Sequence, residues 1–414
     1  MVDFGGNPSQ EQVRVEANPM VFREVIAESL NGATKAGLLL SAGYDSRAIL
    51  ATLRGLGAEV RTVTCGLPSS VDVRIARQLT EAVGGRHAVW PSFPEDAEDL
   101  SETAKELTRV AEGGVGVHYV GRYWVVKQQR GKVPVVFSGQ GEMVRRTPPD
   151  SEYLSQAAFN GLRELHGGGP RAKGQAQRGE GQASGPSALC PLPSAEPFHF
   201  FDLAAIAALD GGEGKEETEE TLRSYRGSTL GETVTAFLLE EGHRKVFANL
   251  GAAESTQVPV AMPFLDDRVM ALVLNRPFSV TQLVDWQPSL RATMAGRRLY
   301  HRIIAENDPR LLQVPLDRGY PPAWDVGWRG WLMTGWWQVR SRTRRRMPPS
   351  SDDRLPFKTF LKNLLSEQRT RNRPFYNHGK LQQALQQFPH WPSRVEFELS
   401  KVATVELWLR EFME

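Results

Sequence analysis

Residues Leu38 to Leu50 read LLLSAGYDSRAIL, an apolar run that passes through Ser-Ala-Gly-Tyr-Asp-Ser straight into a helical pattern. A continuous apolar stretch of this kind predicts a strand buried on both faces, as in parallel sheets. The small residues after it let the backbone turn tightly. A helix opening near Ser46 then directs its free N–H groups and the positive end of its dipole at an anion. Ser41 and Ser46 add hydroxyl donors, and Asp45 stands where it can hold Mg²⁺ on bound phosphates. The spacing is not G-x-x-x-x-G-K-[ST] and no Lys follows, which excludes a Walker A loop. Ala42 tolerates its methyl group only if its φ is negative.

The next hundred residues alternate strand and helix signals. Strands are expected at Ala36–Leu40, Val60–Cys65, His87–Trp90 and Val133–Phe137. Helices are expected at Ser46–Leu56, Asp72–Val83, Glu95–Glu112 and His118–Gln129, after a lead helix near Pro19–Leu30. This order predicts an α/β fold, a doubly wound parallel sheet covered on both faces. Ligands on such sheets sit outside the carboxyl ends of the strands, where the Ser41 and Ser138 segments both fall.

The expected organisation is a short lead (1–35), the α/β core (36–150), an insertion (151–199), a helical part (200–339), a basic loop (340–354) and C-terminal helices (355–414). The Gly-, Pro-, Gln- and Ser-rich stretch from Gly167 to Ser194 and the segment Arg340–Asp353 read as mobile from composition alone. Expected helices in the later part are Phe200–Leu209, Glu216–Tyr225, Leu230–Leu250, Leu265–Val273 and Leu290–Glu306.

At 414 residues the chain can bury a large core, and its 40% apolar and 24% charged content is that of an ordinary globular protein. The net charge of +2 argues for no polyanionic partner, and the arginines from Arg340 to Arg346 read as a solvated loop, so no nucleic acid is expected. Cys65 and Cys190 offer neither a disulfide framework nor zinc spacing, and a reducing cytoplasm is the expected compartment. Neither a signal peptide nor a membrane span is expected, and no membrane partner.

The Ser41–Ser46 string resembles the Ser-Gly-Gly-x-Asp-Ser loop of N-type ATP pyrophosphatases, with Ala42 in place of one glycine. Four further segments resemble, in the same order, the synthetase domain of class B asparagine synthetases, whose relatives include β-lactam synthetases and lasso-peptide cyclases. They are Thr64–Pro68 with Asp72–Ala76 and Gly85-Arg86-His87; Val136–Glu142; Met262–Arg268, which carries Pro-Phe-Leu-Asp; and Leu299–Tyr320. The resemblance implies the adenine nucleotide alpha hydrolase-like (HUP) type of doubly wound sheet, followed by a mainly helical part.

It also implies an ATP-dependent, AMP-forming amide ligase that activates a carboxylate as its acyl-adenylate, releases pyrophosphate and passes the acyl group to an amine. Carried over position by position, ATP would meet Leu40, Ser41, Gly43, Asp45, Ser46, Cys65, Ser138 and Gly139. Mg²⁺ would meet Asp45 and Glu142. Glu142 is otherwise a solvated residue at a helix start, and Cys65 is otherwise a small core residue. Arg318 stands near the place of the family's catalytic Lys, or is a structural Arg beside a turn, while Asp266 and Arg268 read as architectural. Arg145 and Arg146 pair with phosphate or lie at the surface.

The chain departs from class B enzymes in that Val2 follows Met1 and only about 40 residues precede the loop, which leaves no expected glutaminase domain. Nitrogen would then come from an amine, free ammonia or a separate amidotransferase. The shortened Ser138 loop, Ala42 and the missing Lys keep a second reading open, a non-catalytic member that binds nucleotide or works as an interaction protein. A third, nucleobase thiolation, lacks the cysteine pair it would need.

Overall fold

The computed structural model describes residues 19–141, 200–201, 220–221, 224–225, 229–274, 290–330, 332–333, 336 and 351–414. Glu142, Arg145, Arg146, Cys190, the Gly167–Ser194 stretch, the Phe200–Leu209 helix beyond residue 201, most of Glu216–Tyr225 and the arginines from Arg340 to Arg346 lie outside the described residues.

Five parallel strands form one sheet: β1 (Lys35–Leu39), β2 (Glu59–Cys65), β3 (Arg86–Trp90), β4 (Val136–Phe137) and β5 (Val260–Ala261), in the order β3-β2-β1-β4-β5. The order reverses between β1 and β4, so the crevice at their carboxyl ends is the switch point at which a doubly wound sheet receives ligands. The loops after β1 and β4 open there side by side.

The first crossovers are helices whose ends are specified locally. Asp45 opens α2 (Asp45–Gly55) and Arg54 closes it, matching the helix dipole at both ends. Ser70 caps α3 (Val71–Ala82) by accepting from the Val73 N–H at 3.3 Å, and Asp96 caps α4 (Ala97–Val110) by accepting from Asp99 at 2.8 Å. The lead helix α1 (Pro19–Leu30) lies on the same side of the sheet as α2, and α5 (Val120–Lys127) precedes β4.

The later half is less regular than its periodicity suggests. The expected helix from Leu230 runs through α6 (Leu230–Phe237), a π-helical stretch (Leu238–Ala248) and α7 (Asn249–Ser255). Strand β5 follows, so the sheet draws its fifth strand from the part read as helical. A short 3₁₀ turn (Pro263–Leu265) and α8 (Asp267–Leu274) complete the Pro-Phe-Leu-Asp element. Helix α9 (Leu290–Asn307) lies along α2 and joins it to the main core through Leu299, Tyr300, Ile303 and Ile304.

A second core is built by α4, α10 (Leu355–Ser366), α12 (His378–Gln386) and α13 (Ser393–Phe412), with the short α11 (Gln368–Arg371) between. Leu100, Leu107, Phe357, Leu361, Leu399 and Val402 meet there. The groove between α4, α10 and α13, lined by Leu100, Phe360, Leu364 and Leu407, holds none of the residues gathered at the switch point.

Candidate nucleotide site at the switch point

The turn from Ser41 to Ser46 is held by its own polar groups. Ser46 Oγ accepts from the Ser41 N–H at 3.0 Å and lies 3.1 Å from Ser41 Oγ. The Ala42 N–H donates to Asp72 Oδ1 at 2.8 Å, so the first turn of α3 braces the loop from the neighbouring crossover. Ala42 is buried with negative φ, which is why a methyl group fits where the resembling loops carry glycine.

The start of α2 differs from those of α3 and α4. Its N-cap, Tyr44, makes no side-chain capping bond, although serine and aspartate stand within two residues of it. Tyr44, Ser46 and Arg47 are buried there. A buried helix start without a side-chain cap leaves backbone donors to be met by water or a ligand, and the dipole favours an anionic one.

The loop after β4 closes on this point. A Cβ on Gly139 would lie 3.0 Å from the Ser46 nitrogen and 3.1 Å from Asp45 Cβ, so only glycine brings the two loops this close. Gly141 has φ +89°, and a Cβ there would sit 2.3 Å from Leu265 Cδ2, which ties the loop to the Pro-Phe-Leu-Asp turn. Ser138 is fixed from behind. Its N–H donates to Ala261 O at 2.9 Å, and its Oγ accepts from Arg122 Nη2 at 3.1 Å and from the Gln140 N–H at 3.2 Å. Arg122 also grips the fully buried Glu254 through two bonds of 2.6 and 3.0 Å. Burial works against the guanidinium, but Glu254 outweighs it and holds Arg122 protonated.

Asp45 is half-buried, and the Tyr300 hydroxyl donates to its Oδ1. Its Oδ2 takes no hydrogen bond among the described residues. Mg²⁺ takes one or two carboxylates and otherwise water and substrate phosphate oxygens. One free carboxylate oxygen beside an uncapped helix start fits that ion. No group of three or more potential metal-binding side chains exists among the described residues.

Arg47, whose sequence position carries no binding signal, organises this corner. Its side chain is fully buried and donates to the carbonyls of Leu311 at 2.9 Å, Val314 at 2.5 Å and Pro315 at 2.8 Å. Burial pulls its pKa down to about 10, with Tyr44 and Asp317 opposing. It thereby fastens the Leu316–Tyr320 turn, which carries Arg318, to α2. Arg318 Nε stands 3.9 Å from Asp317, and its Nη1 is buried with no hydrogen-bond partner among the described residues. No contact among those residues joins Arg318 to Asp45. Beneath lies Asp325, fully buried, which accepts from Tyr44 at 2.7 Å, Arg297 at 2.5 Å and Tyr320 at 3.3 Å.

Leu40 and Cys65, two of the four positions expected to border adenine and ribose with Ser138 and Gly139, are more enclosed. Leu40 is buried, its N–H donating to Val63 O at 2.8 Å and its carbonyl accepting from Thr64 Oγ1 at 2.6 Å. Cys65 is partly exposed at the end of β2, and burial pushes its thiol up to about 11, which keeps it protonated at neutral pH. Asp266 and Arg268, read as architectural, form a clamp: Arg268 bonds Asp266 Oδ1 at 3.0 Å and Glu28 at 2.9 and 2.6 Å, linking α8 to α1.

A parallel sheet with a glycine-containing turn and an uncapped helix at its switch point places the candidate site where doubly wound domains receive ligands. Residues 20–141 match the sequence model of the asparagine synthase family, so this region of the chain is similar to that family. That family comprises ATP-using, amide-forming ligases. No curated protein matches the chain.

Proposed function

We propose that this protein is an ATP-dependent, AMP-forming amide ligase that activates a carboxylate as its acyl-adenylate and transfers the acyl group to an amine. The observation that carries the reading is the buried, uncapped start of α2 with the Gly139 loop pressed against it at the switch point. The backbone N–H groups from Gly43 to Ser46 receive the phosphates, and Ser41 and Ser46 keep the turn in shape. Asp45 holds Mg²⁺, which neutralises charge on the departing pyrophosphate. Glu142, outside the described residues, is the second ligand in this proposal. Arg318 supplies positive charge where the family has Lys, as a planar fork instead of a point charge. Leu40, Cys65, Ser138 and Gly139 border the base and ribose. The amine comes from free ammonia, a second substrate or a separate amidotransferase.

The test is carboxylate-dependent exchange of labelled pyrophosphate into ATP across a panel of acids, with AMP rather than ADP formed when an amine is added. Formation of ADP and inorganic phosphate would overturn the reading. One feature favours a non-catalytic relative instead: Asp72 already takes the Ala42 N–H and Tyr300 already bonds Asp45. That reading requires a protein that binds ATP, or nothing, and catalyses no exchange with any acid.

A further inference from the structure

We propose that Tyr300 is a positioning residue that holds the Asp45 carboxylate in place for Mg²⁺, a role that rests on the reading of Asp45 as a Mg²⁺ ligand. Tyr300 stands on α9, which packs along α2, and is buried. Its hydroxyl donates to Asp45 Oδ1. An aspartate carboxylate turns easily about its last bond, because that torsion has broad wells. A donor on a fixed, buried ring removes this freedom. It occupies Oδ1 and leaves Oδ2, which takes no hydrogen bond among the described residues, for a cation. Carboxylates that ligate metals are commonly oriented by such a hydrogen bond from behind.

The hydroxyl is itself held by a row of rings. Tyr300 stacks on Tyr44, with centroids 5.4 Å and planes 30° apart, and Phe264 of the Pro-Phe-Leu-Asp turn lies 6.2 Å away at 55°. Phe264 in turn packs 5.1 Å from Phe22 of α1. Tyr44 is anchored by its own hydroxyl, which donates to Asp325 Oδ2 at 2.7 Å, and Asp325 is paired with Arg297. All four rings are buried in the main core. The row accounts for two oddities. An aromatic residue stands at the N-cap of α2, where serine or aspartate would cap better, because it is the platform on which Tyr300 rests. A tyrosine stands on α9 where phenylalanine would fill the same space, and a buried hydroxyl is tolerated only where it finds a partner. Here the partner is the one carboxylate at the start of α2.

The experiment is a calorimetric titration of ATP at a series of Mg²⁺ concentrations, on the unsubstituted chain, Tyr300→Phe and Asp45→Ala. Tyr300→Phe keeps the ring and deletes only the hydroxyl. The expected result is metal-free ATP affinity within about twofold of the unsubstituted protein, and a Mg²⁺ requirement roughly 10- to 100-fold higher. Excess Mg²⁺ should restore the ATP affinity of Tyr300→Phe in full and that of Asp45→Ala not at all. A role in packing alone predicts a changed melting temperature with an unchanged Mg²⁺ requirement. That outcome, with Mg²⁺ dependence lost in Asp45→Ala, would overturn the role of Tyr300 and leave Asp45 as the ligand. Loss of metal-free ATP binding in Tyr300→Phe would also overturn it, since the hydroxyl would then shape the loop and not the metal site. ATP binding that Mg²⁺ does not strengthen in the unsubstituted protein would overturn both.

Discussion

Breaking the Arg122–Glu254 pair tests how the Ser138 loop is held. Glu254 is fully buried, and its carboxylate is met by Arg122 at 2.6 and 3.0 Å. Arg122→Met leaves a buried charge uncompensated, which costs about 3–5 kcal/mol. Glu254→Leu strands the guanidinium and falls at the lower end of that range, since Arg122 retains 19% exposure. Removing both charges leaves only the lost donation to Ser138 Oγ and imperfect packing, about 1–2 kcal/mol. The double-mutant cycle is therefore expected to be non-additive by at least about 3 kcal/mol. Urea unfolding followed by circular dichroism measures it, provided the slopes with denaturant agree among variants. The double variant should still bind nucleotide weakly, because Ser138 has lost its tether even though stability is largely restored. Additive effects, or single variants that lose less than about 1 kcal/mol, would refute the reasoning.

Other outcomes follow from the same geometry. Gly141→Ala places a Cβ against Leu265 in a backbone region that disfavours side chains, and should cost about 1–3 kcal/mol, of which Leu265→Ala recovers only the steric part. Arg47→Lys keeps the charge but cannot serve three carbonyls at once; it should lower the melting temperature and shift the reactivity of the Arg318 turn in limited proteolysis, whereas an unchanged melt would contradict its organising role. His118, half-buried between Tyr119 and Phe397 and beside Arg354 and Lys401, is held down at about 4 by desolvation, against 6.5 for the free side chain. The unfolded chain thus takes up this proton first. Stability is full above about pH 6.5 and falls by roughly 3 kcal/mol as the pH drops to about 4, and His118→Gln should flatten that slope in acid titrations of folding.

Much of the sheet was legible because β1 is an apolar run and β2 and β3 carry β-branched or aromatic residues, each closed by turn residues. Strand β5 was not. It has two residues between Pro259 and the Met262-Pro263 pair, too few to show any period, and it exists because the β4 edge is there to receive it. The same division holds at the site. The Ser41, Asp45, Ser46 and Gly139 positions lie in short strings whose chemistry reads locally. The groups that fix them do not, since Asp72 reaches Ala42 across 30 residues, Glu254 reaches Arg122 across 132 and Tyr300 reaches Asp45 across 255. Arg47 illustrates the limit most clearly. An arginine on a helix is ordinarily a surface residue, and only the folded chain reveals that three carbonyls enclose it.

The central claim is that the start of α2 receives the phosphates of ATP with Mg²⁺ on Asp45. Titration calorimetry with ATP and its α,β-methylene analogue, with and without Mg²⁺, tests it most directly when run on the unsubstituted protein and on Asp45→Ala. The account predicts binding of both nucleotides that strengthens with Mg²⁺, and loss of that strengthening in a variant that remains folded. Absence of binding at millimolar nucleotide by a folded sample, or Mg²⁺ dependence that survives Asp45→Ala, would contradict it.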